Sequence, residues 1–343
     1  MPRVAQFLFI VYFTLLVVRF IECSQSPLLP AFQVGDDDIY NMIAHLERID
    51  TNKASSGQVT VHWQDHTNSR STADNARHKL FDRVDIRLFE KPTYRKMIAL
   101  FDNYDRQTGV TEQATRAERR EEDSFLDEVF ATDVMKETYD FLHRHRHTFA
   151  RTKDTFKEWV RKLWFDMYSR AGGRTDTSGF EHVFVGEVKS NEVAGMHNWV
   201  RFYSLERNQS EHFDYKGYIV RRYDIMGVVK FSWDRYAKKS GSFFIGTSPE
   251  FELAVNTLCF LSRSSTTTTD RSCKFQLDGC NFKLISHPIY QQNRIHVGTI
   301  FPYADGTCRR SRSGTGGSRS RSRSRSNNRN RNRNNNNLKL FWF

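Results

Sequence analysis

Ser178-Gly-Phe-Glu-His182-Val-Phe-Val-Gly-Glu187 decides how this chain is read. Phe180, His182 and Phe184 alternate with Glu181, Val183 and Val185, the period-two pattern of a strand. From Thr93 to Arg170 the apolar residues recur instead at three and four. Met97, Leu100, Phe101 and Tyr104 do so, then Phe125, Val129, Val134, Met135 and Thr138, then Phe156, Trp159, Val160, Leu163, Trp164 and Met167. The acids and arginines of residues 117–123 suit solvated helix faces. After Ala171-Gly-Gly173 short strand-like runs take over, at 199–205, 215–223, 225–233, 242–245, 282–287 and 295–301. One helix is expected among them, opened by Ser248-Pro249-Glu250 and ending near Leu261. The order predicts an α+β fold: an N-terminal helical half, then antiparallel β-sheets carrying the candidate cleft.

Four segments follow from composition. Residues 1–23 read as a signal peptide: Arg3, an apolar run from Val4 to Ile21, then Cys23-Ser-Gln-Ser26. The competing reading is a retained anchor, but Arg19 shortens the apolar run below the ~20 residues of a span. Residues 24–88 read as a polar N-terminal extension with a short helix at 37–49. Residues 89–308 form the main domain. Residues 309–343 are an Arg-, Ser- and Asn-rich tail that cannot build a core. The chain carries a formal +12, of which 10 Arg and 1 Lys place +11 on the tail, leaving +1 on residues 1–308. A polyanion would therefore meet the body only at a local cleft.

Once residues 1–23 are removed, Cys259, Cys273, Cys280 and Cys308 remain. An even number in a secreted chain suggests two disulfides, with three possible connectivities. The alternative keeps Cys259 as a buried thiol in its apolar run. No Cys-x-x-Cys zinc spacing occurs, and the metal ligands are unknown. Asn208-Gln-Ser210 is a glycosylation sequon.

His182 and His197 are fifteen positions apart. A two-residue turn near Ser190-Asn191 would pair their segments as a hairpin and place both imidazoles on one face, roughly 7–8 Å apart by backbone. Two histidines in one cleft can act as base and acid. Such a pair suits attack of a ribose 2′-hydroxyl on its neighbouring phosphate, leaving a 2′,3′-cyclic phosphate. A cation is needed for the added charge on phosphorus. On an extended strand Glu181 and Glu187 would lie on the face opposite His182, in supporting roles.

These segments resemble the EndoU family of poly(U)-specific endoribonucleases, over roughly residues 90–303. The motifs are Leu100-Phe-Asp-Asn-Tyr104, Trp164-Phe-Asp-Met-Tyr-Ser-Arg170, the two histidine segments, Trp233-Asp-Arg-Tyr-Ala-Lys238 and Gly241-Ser-Phe-Phe-Ile-Gly-Thr-Ser-Pro-Glu-Phe-Glu252. The resemblance implies that His182, His197 and Lys238 are catalytic, with Lys230 and Lys239 as nearby competitors for the lysine. It implies that Ser242 contacts uracil, with Thr299 and Phe301 beside the substrate. The family shows Thr-Ala-Tyr-Pro where this chain has Thr299-Ile-Phe301-Pro302, so a tyrosine hydroxyl is missing. It implies single-stranded, U-containing RNA as partner and Mn2+ as cofactor. A secreted, monomeric enzyme is expected. The alternative is a catalytically weak RNA-binding protein on the same fold.

Overall fold

The structure, a computed structural model, describes residues 32, 34–263 and 272–308. Residues 1–23, read above as a signal peptide, and the tail 309–343 lie outside the described residues. The helical half consists of α1 (Asp36–Ile49), α2 (Pro92–Ala99), α3 (Arg116–Ala131), α4 (Asp133–Arg144) and α5 (Lys153–Phe165). Each of the last three starts on a threonine whose hydroxyl accepts a backbone N–H. At Thr115 the cap is reciprocal, because Glu118 reaches back to the Thr115 N–H. Phe125, Leu126 and Val129 on α3 and Phe156, Val160 and Leu163 on α5 turn inward and are buried, as their spacing predicts.

The second half holds two sheets. The first has five strands in the order β3 (Glu187–Lys189), β4 (Glu192–Ala194), β7 (Tyr236–Phe244), β6 (Met226–Trp233), β5 (Phe213–Arg222). It is antiparallel except where β4 meets β7. The second is an antiparallel three-stranded sheet of β8 (Ser272–Leu277), β9 (Cys280–Gln291) and β10 (Arg294–Cys308). Helix α6 (Trp199–Arg207) packs on the first sheet. Helix α7 (Pro249–Ser262) is buried along its whole length, and β10 touches both it and the first sheet. The architecture is α+β, helices before sheets.

Residues 24–88 are not a mere extension of this core. Helix α1 buries Ile39, Met42, Ile43 and Leu46 in the common core, and β1 (Val59–Val61) pairs with β2 (Phe81–Val84). Trp63 is buried, and its indole donates to Asp224. Cysteine pairing is settled as Cys259–Cys273 and Cys280–Cys308, so Cys259 is not a free thiol. The first bridge ties α7 to β8 and the second ties β9 to the end of β10. Closing loops of 14 and 28 residues contributes roughly 3 kcal/mol apiece. Among the described residues no helix is long and apolar enough to cross a membrane.

Two strand expectations are overturned. Residues 199–205 are helix α6, opened by Asn198, whose side chain accepts from the Arg201 N–H. Residues Glu181–Val185 form a π-helical turn. The Gly186 N–H donates to the Glu181 carbonyl at 2.7 Å, and the His182 N–H to Ser178 at 3.1 Å. Ser178 and Glu181 form a reciprocal cap: the Glu181 N–H meets the Ser178 hydroxyl, and the Ser178 N–H meets the Glu181 carboxyl. Every residue from Phe180 to Gly186 is buried. A helical turn with no solvent side shows no 3.6-residue stripe, and its chemistry imitated a strand.

Candidate active site

The expected turn between the histidine segments is present. Ser190 and Asn191 both adopt positive φ, 51° and 62°, and join β3 to β4. The hairpin is only three pairs long, and the histidines stand at its foot. His182 lies on the π-helical turn before it. His197 follows β4 and directly precedes the Asn198 cap of α6. The two backbones touch: the Met196 N–H donates to the His182 carbonyl at 2.9 Å, and the His197 N–H to Val183 at 2.6 Å. Gly195 permits this approach. It has φ of 65°, and a Cβ there would sit 1.7 Å from the His182 carbonyl oxygen. The imidazole centroids are 6.4 Å apart.

Each imidazole has its own anchor. His182 Nδ1 lies 2.7 Å from Glu187 Oε1, and its Nε2 lies 3.1 Å from Thr299 Oγ1. His197 Nδ1 lies 2.8 Å from the Ser242 carbonyl oxygen. A carbonyl and a carboxylate can only accept, so Nδ1 carries the proton in both rings. Nε2 is then the working nitrogen of each. The Phe301 ring stacks on His197, with centroids 5.5 Å apart and planes 28° apart.

Glu187 is not across the strand from His182, as an extended chain would have placed it. The π-helical turn and Gly186, with φ of 87°, swing its carboxylate under the ring. The carboxylate also accepts from Thr177 Oγ1 at 2.7 Å and lies 3.1 Å from Arg170 Nε. Arg170 in turn donates to the Tyr168 hydroxyl and the Gly298 carbonyl. Arg170 and Thr177 had no role in the sequence reading. The sequence offers only that Arg170 closes one of the motifs; that Glu187 is buried and needs a cation is visible in the fold alone. Glu181 stays away from the imidazoles and caps its own turn.

Lys238 separates from its competitors by geometry. It is buried on β7 beside the histidines. Lys230 instead donates to the Ser71 carbonyl, and Lys239 pairs with Glu192 on the outside. Ser242 meets the site through its carbonyl, with its side chain buried. Asn208 is exposed after α6, its side chain accepting from the Ser210 hydroxyl.

Burial sets the charges. Burial and the Arg170 guanidinium hold His182 down to about 4, against the pull of Glu187. Burial, then Lys238 and His182, hold His197 well below the usual histidine range. Burial brings Lys238 down to about 7. Burial raises Glu187, but His182, Arg170 and Thr177 outweigh it and hold the carboxylate at about 2. Glu181, desolvated and beside Glu187 and Glu112, is pushed well above the carboxylate range. The free site thus holds one ionised carboxylate, one neutral one and two neutral imidazoles.

Among the described residues no three His, Cys, Asp or Glu side chains gather as a metal site. Glu187 is engaged by His182, Thr177 and Arg170, and Glu181 caps its own turn on Ser178. As placed, these carboxylates do not fit a manganese ion.

The chain matches the family model of Endoribonuclease XendoU over residues 38–302. It belongs to the XendoU family. The XendoU match begins inside the stretch read as an extension, in line with the packing of α1. A uridylate-specific endoribonuclease of Homo sapiens is 39% identical over 253 residues, 72% of this chain and 60% of that protein. The chain thus spans about three fifths of that relative's length. Uridylate-specific endoribonuclease D of Xenopus laevis is 33% identical over 308 residues, 85% of this chain and 99% of that protein. The solved structure of XendoU, described as a splicing-independent snoRNA-processing endoribonuclease, superposes with a TM-score of 0.66 at 32% identity. That likeness covers 81% of this chain and 99% of the XendoU chain.

Proposed function

We propose that this protein cleaves single-stranded RNA 3′ of uridine by transesterification, leaving a 2′,3′-cyclic phosphate. The observation that carries the reading is the pair of imidazoles 6.4 Å apart with unlike anchors. His182 stands on a carboxylate, which stabilises its imidazolium, so it is the ring suited to deliver a proton. His197 stands on a neutral carbonyl beside Lys238, which keeps it neutral and makes it the base. His197 Nε2 takes the proton of the uridine 2′-hydroxyl, and O2′ bonds to phosphorus. The P–O5′ bond breaks, and O5′ takes the proton from His182 Nε2. The Lys238 ammonium faces the charge that builds on the phosphorane oxygens. An entering phosphate raises the affinity of both rings for protons, which charges His182 in the complex.

Family relatives named for uridylate support uridine as the base read, with Ser242, Thr299 and Phe301 lining its side. Both histidines, Lys238 and Phe301 come from one chain, which supports a monomer as the acting unit. Two disulfides and the apolar residues 4–21 support a secreted protein. A dependence on manganese is implied by family resemblance alone, and the carboxylates beside the histidines give it no support. The test is to incubate the protein with a U-containing oligonucleotide, with and without manganese, and to analyse the ends. Cyclic phosphates 3′ of uridine are expected. Tight binding without cleavage would instead make this an RNA-binding protein.

Lys238 predicts the alkaline limb of the pH profile. Its ammonium must be charged to act, and it loses its proton near pH 7. kcat/KM should therefore fall as pH rises through about 7. Lys238→Arg keeps its charge throughout this range, so it should remove that limb even while lowering the maximum. A limb unchanged in Lys238→Arg would assign it to another group.

A further inference from the structure

One face of the β8–β9–β10 sheet is core, where Cys273, Phe275, Phe282, Leu284 and Ile300 are buried. Strand alternation turns the intervening residues outward. The register sorts these into rows. Thr299 lies opposite His287 and Phe301 opposite Ile285. Tyr303 lies opposite Lys283, which in turn lies opposite Lys274. The first two rows carry active-site residues, and the Tyr303 row is their direct continuation. Tyr303 is 38% exposed, and the Lys283 ammonium lies 5.0 Å from its ring centroid. None of the outward positions from Lys274 to Gln276, Asn281 to His287 or Thr299 to Tyr303 is acidic. A body carrying a formal charge of only +1 thus places an aromatic ring and two lysines beside its candidate active site, with Asp305, two residues beyond Tyr303 on β10, the next acid along that strand.

We propose that Tyr303, Lys283 and Lys274 form a subsite for the nucleotide on the 5′ side of the cleaved uridine, with Tyr303 stacking its base and the lysines facing phosphates. The direction follows from the reaction proposed above, on which this inference depends. The uridine 2′-oxygen is served by His197, and the departing 5′-oxygen by His182. RNA upstream of the uridine therefore leaves on the His197 side, where Phe301 stacks. Two further residues of strand carry the track to Tyr303, about 6.8 Å on and away from Thr299 and His182. Every base has a π-face, so this subsite adds affinity without adding sequence preference.

Binding is read on the full chain with oligonucleotides whose single uridine is 2′-deoxy, which removes the nucleophile. One is extended upstream of it and one downstream, at equal length and charge. Tyr303→Ala should weaken the upstream-extended oligonucleotide about tenfold and the other by at most about twofold, while Tyr303→Phe keeps the affinity. Lys274→Ala with Lys283→Ala should flatten the salt dependence of upstream binding by about 1.4 in log–log slope. Equal losses on both oligonucleotides, or none, would overturn the subsite. The ribose version separates the two ideas: normal upstream-selective binding with no cleavage sinks the catalytic reading and leaves the subsite. Cleavage with no upstream selectivity does the reverse.

Discussion

His182→Ala is expected to lower kcat/KM on U-containing RNA by about 10³-fold, within the range of general acid–base catalysis. The more informative result is how that loss depends on the leaving group. A ribose 5′-alkoxide departs poorly and needs the proton that the proposed mechanism assigns to His182. An aryl oxide, as in a uridine 3′-aryl phosphate, departs without one. His182→Ala should therefore lose far less on the aryl ester than on RNA. His197→Ala should lose about equally on both, because the 2′-hydroxyl must be deprotonated in either case. The reverse pattern would exchange the roles of the two histidines. Equal sensitivity in both variants would remove the acid–base division altogether.

That division was not legible in the sequence, although the pair was. The turn at Ser190-Asn191 follows from its position between two apolar runs, and it brings the segments together whatever their secondary structure. Helix α7 follows from Ser248-Pro249-Glu250, because capping chemistry is local. The same rule is written at Ser178-Gly-Phe-Glu181 and at Asn198, but the period-two pattern of 180–185 and the aromatic-rich run at 199–205 imitate strands. Alternation marks a strand only when one side is wet, and Phe180 to Gly186 has no wet side. The error had a chemical consequence. On a strand Glu187 points away from His182, whereas after a π-helical turn it lies beneath the ring. Arg170 escaped for a different reason: its partner is seventeen residues away, and only the fold shows that Glu187 is buried and needs it.

Glu187→Gln tests the placement of that carboxylate, with an expected loss of about 10²- to 10³-fold in kcat/KM on RNA, no larger than that of His182→Ala. The amide nearly matches the carboxylate in shape, so the change is one of charge and donor pattern. Its NH2 can donate to Nδ1, which would move the ring proton to Nε2 and spoil the tautomer. It also no longer stabilises the imidazolium, and it leaves Arg170 buried without its counter-charge. The last effect costs stability by roughly 3–5 kcal/mol. The sign with pH is fixed by the depressed carboxyl at about 2, below its ordinary 4.5. The stability that Glu187 contributes is complete above about pH 4.5 and is lost as pH falls through 2, so variant and parent should converge across that window. Loss of stability alone would not distinguish a positioning residue from a structural one. The double variant does. If Glu187 acts through His182, then His182→Ala with Glu187→Gln should be scarcely slower than His182→Ala alone, since the second change has no ring left to orient. The Glu187→Gln loss should likewise shrink on the aryl ester, as that of His182→Ala does. Multiplicative losses, or an undiminished effect on the aryl ester, would show that Glu187 serves the site by another route.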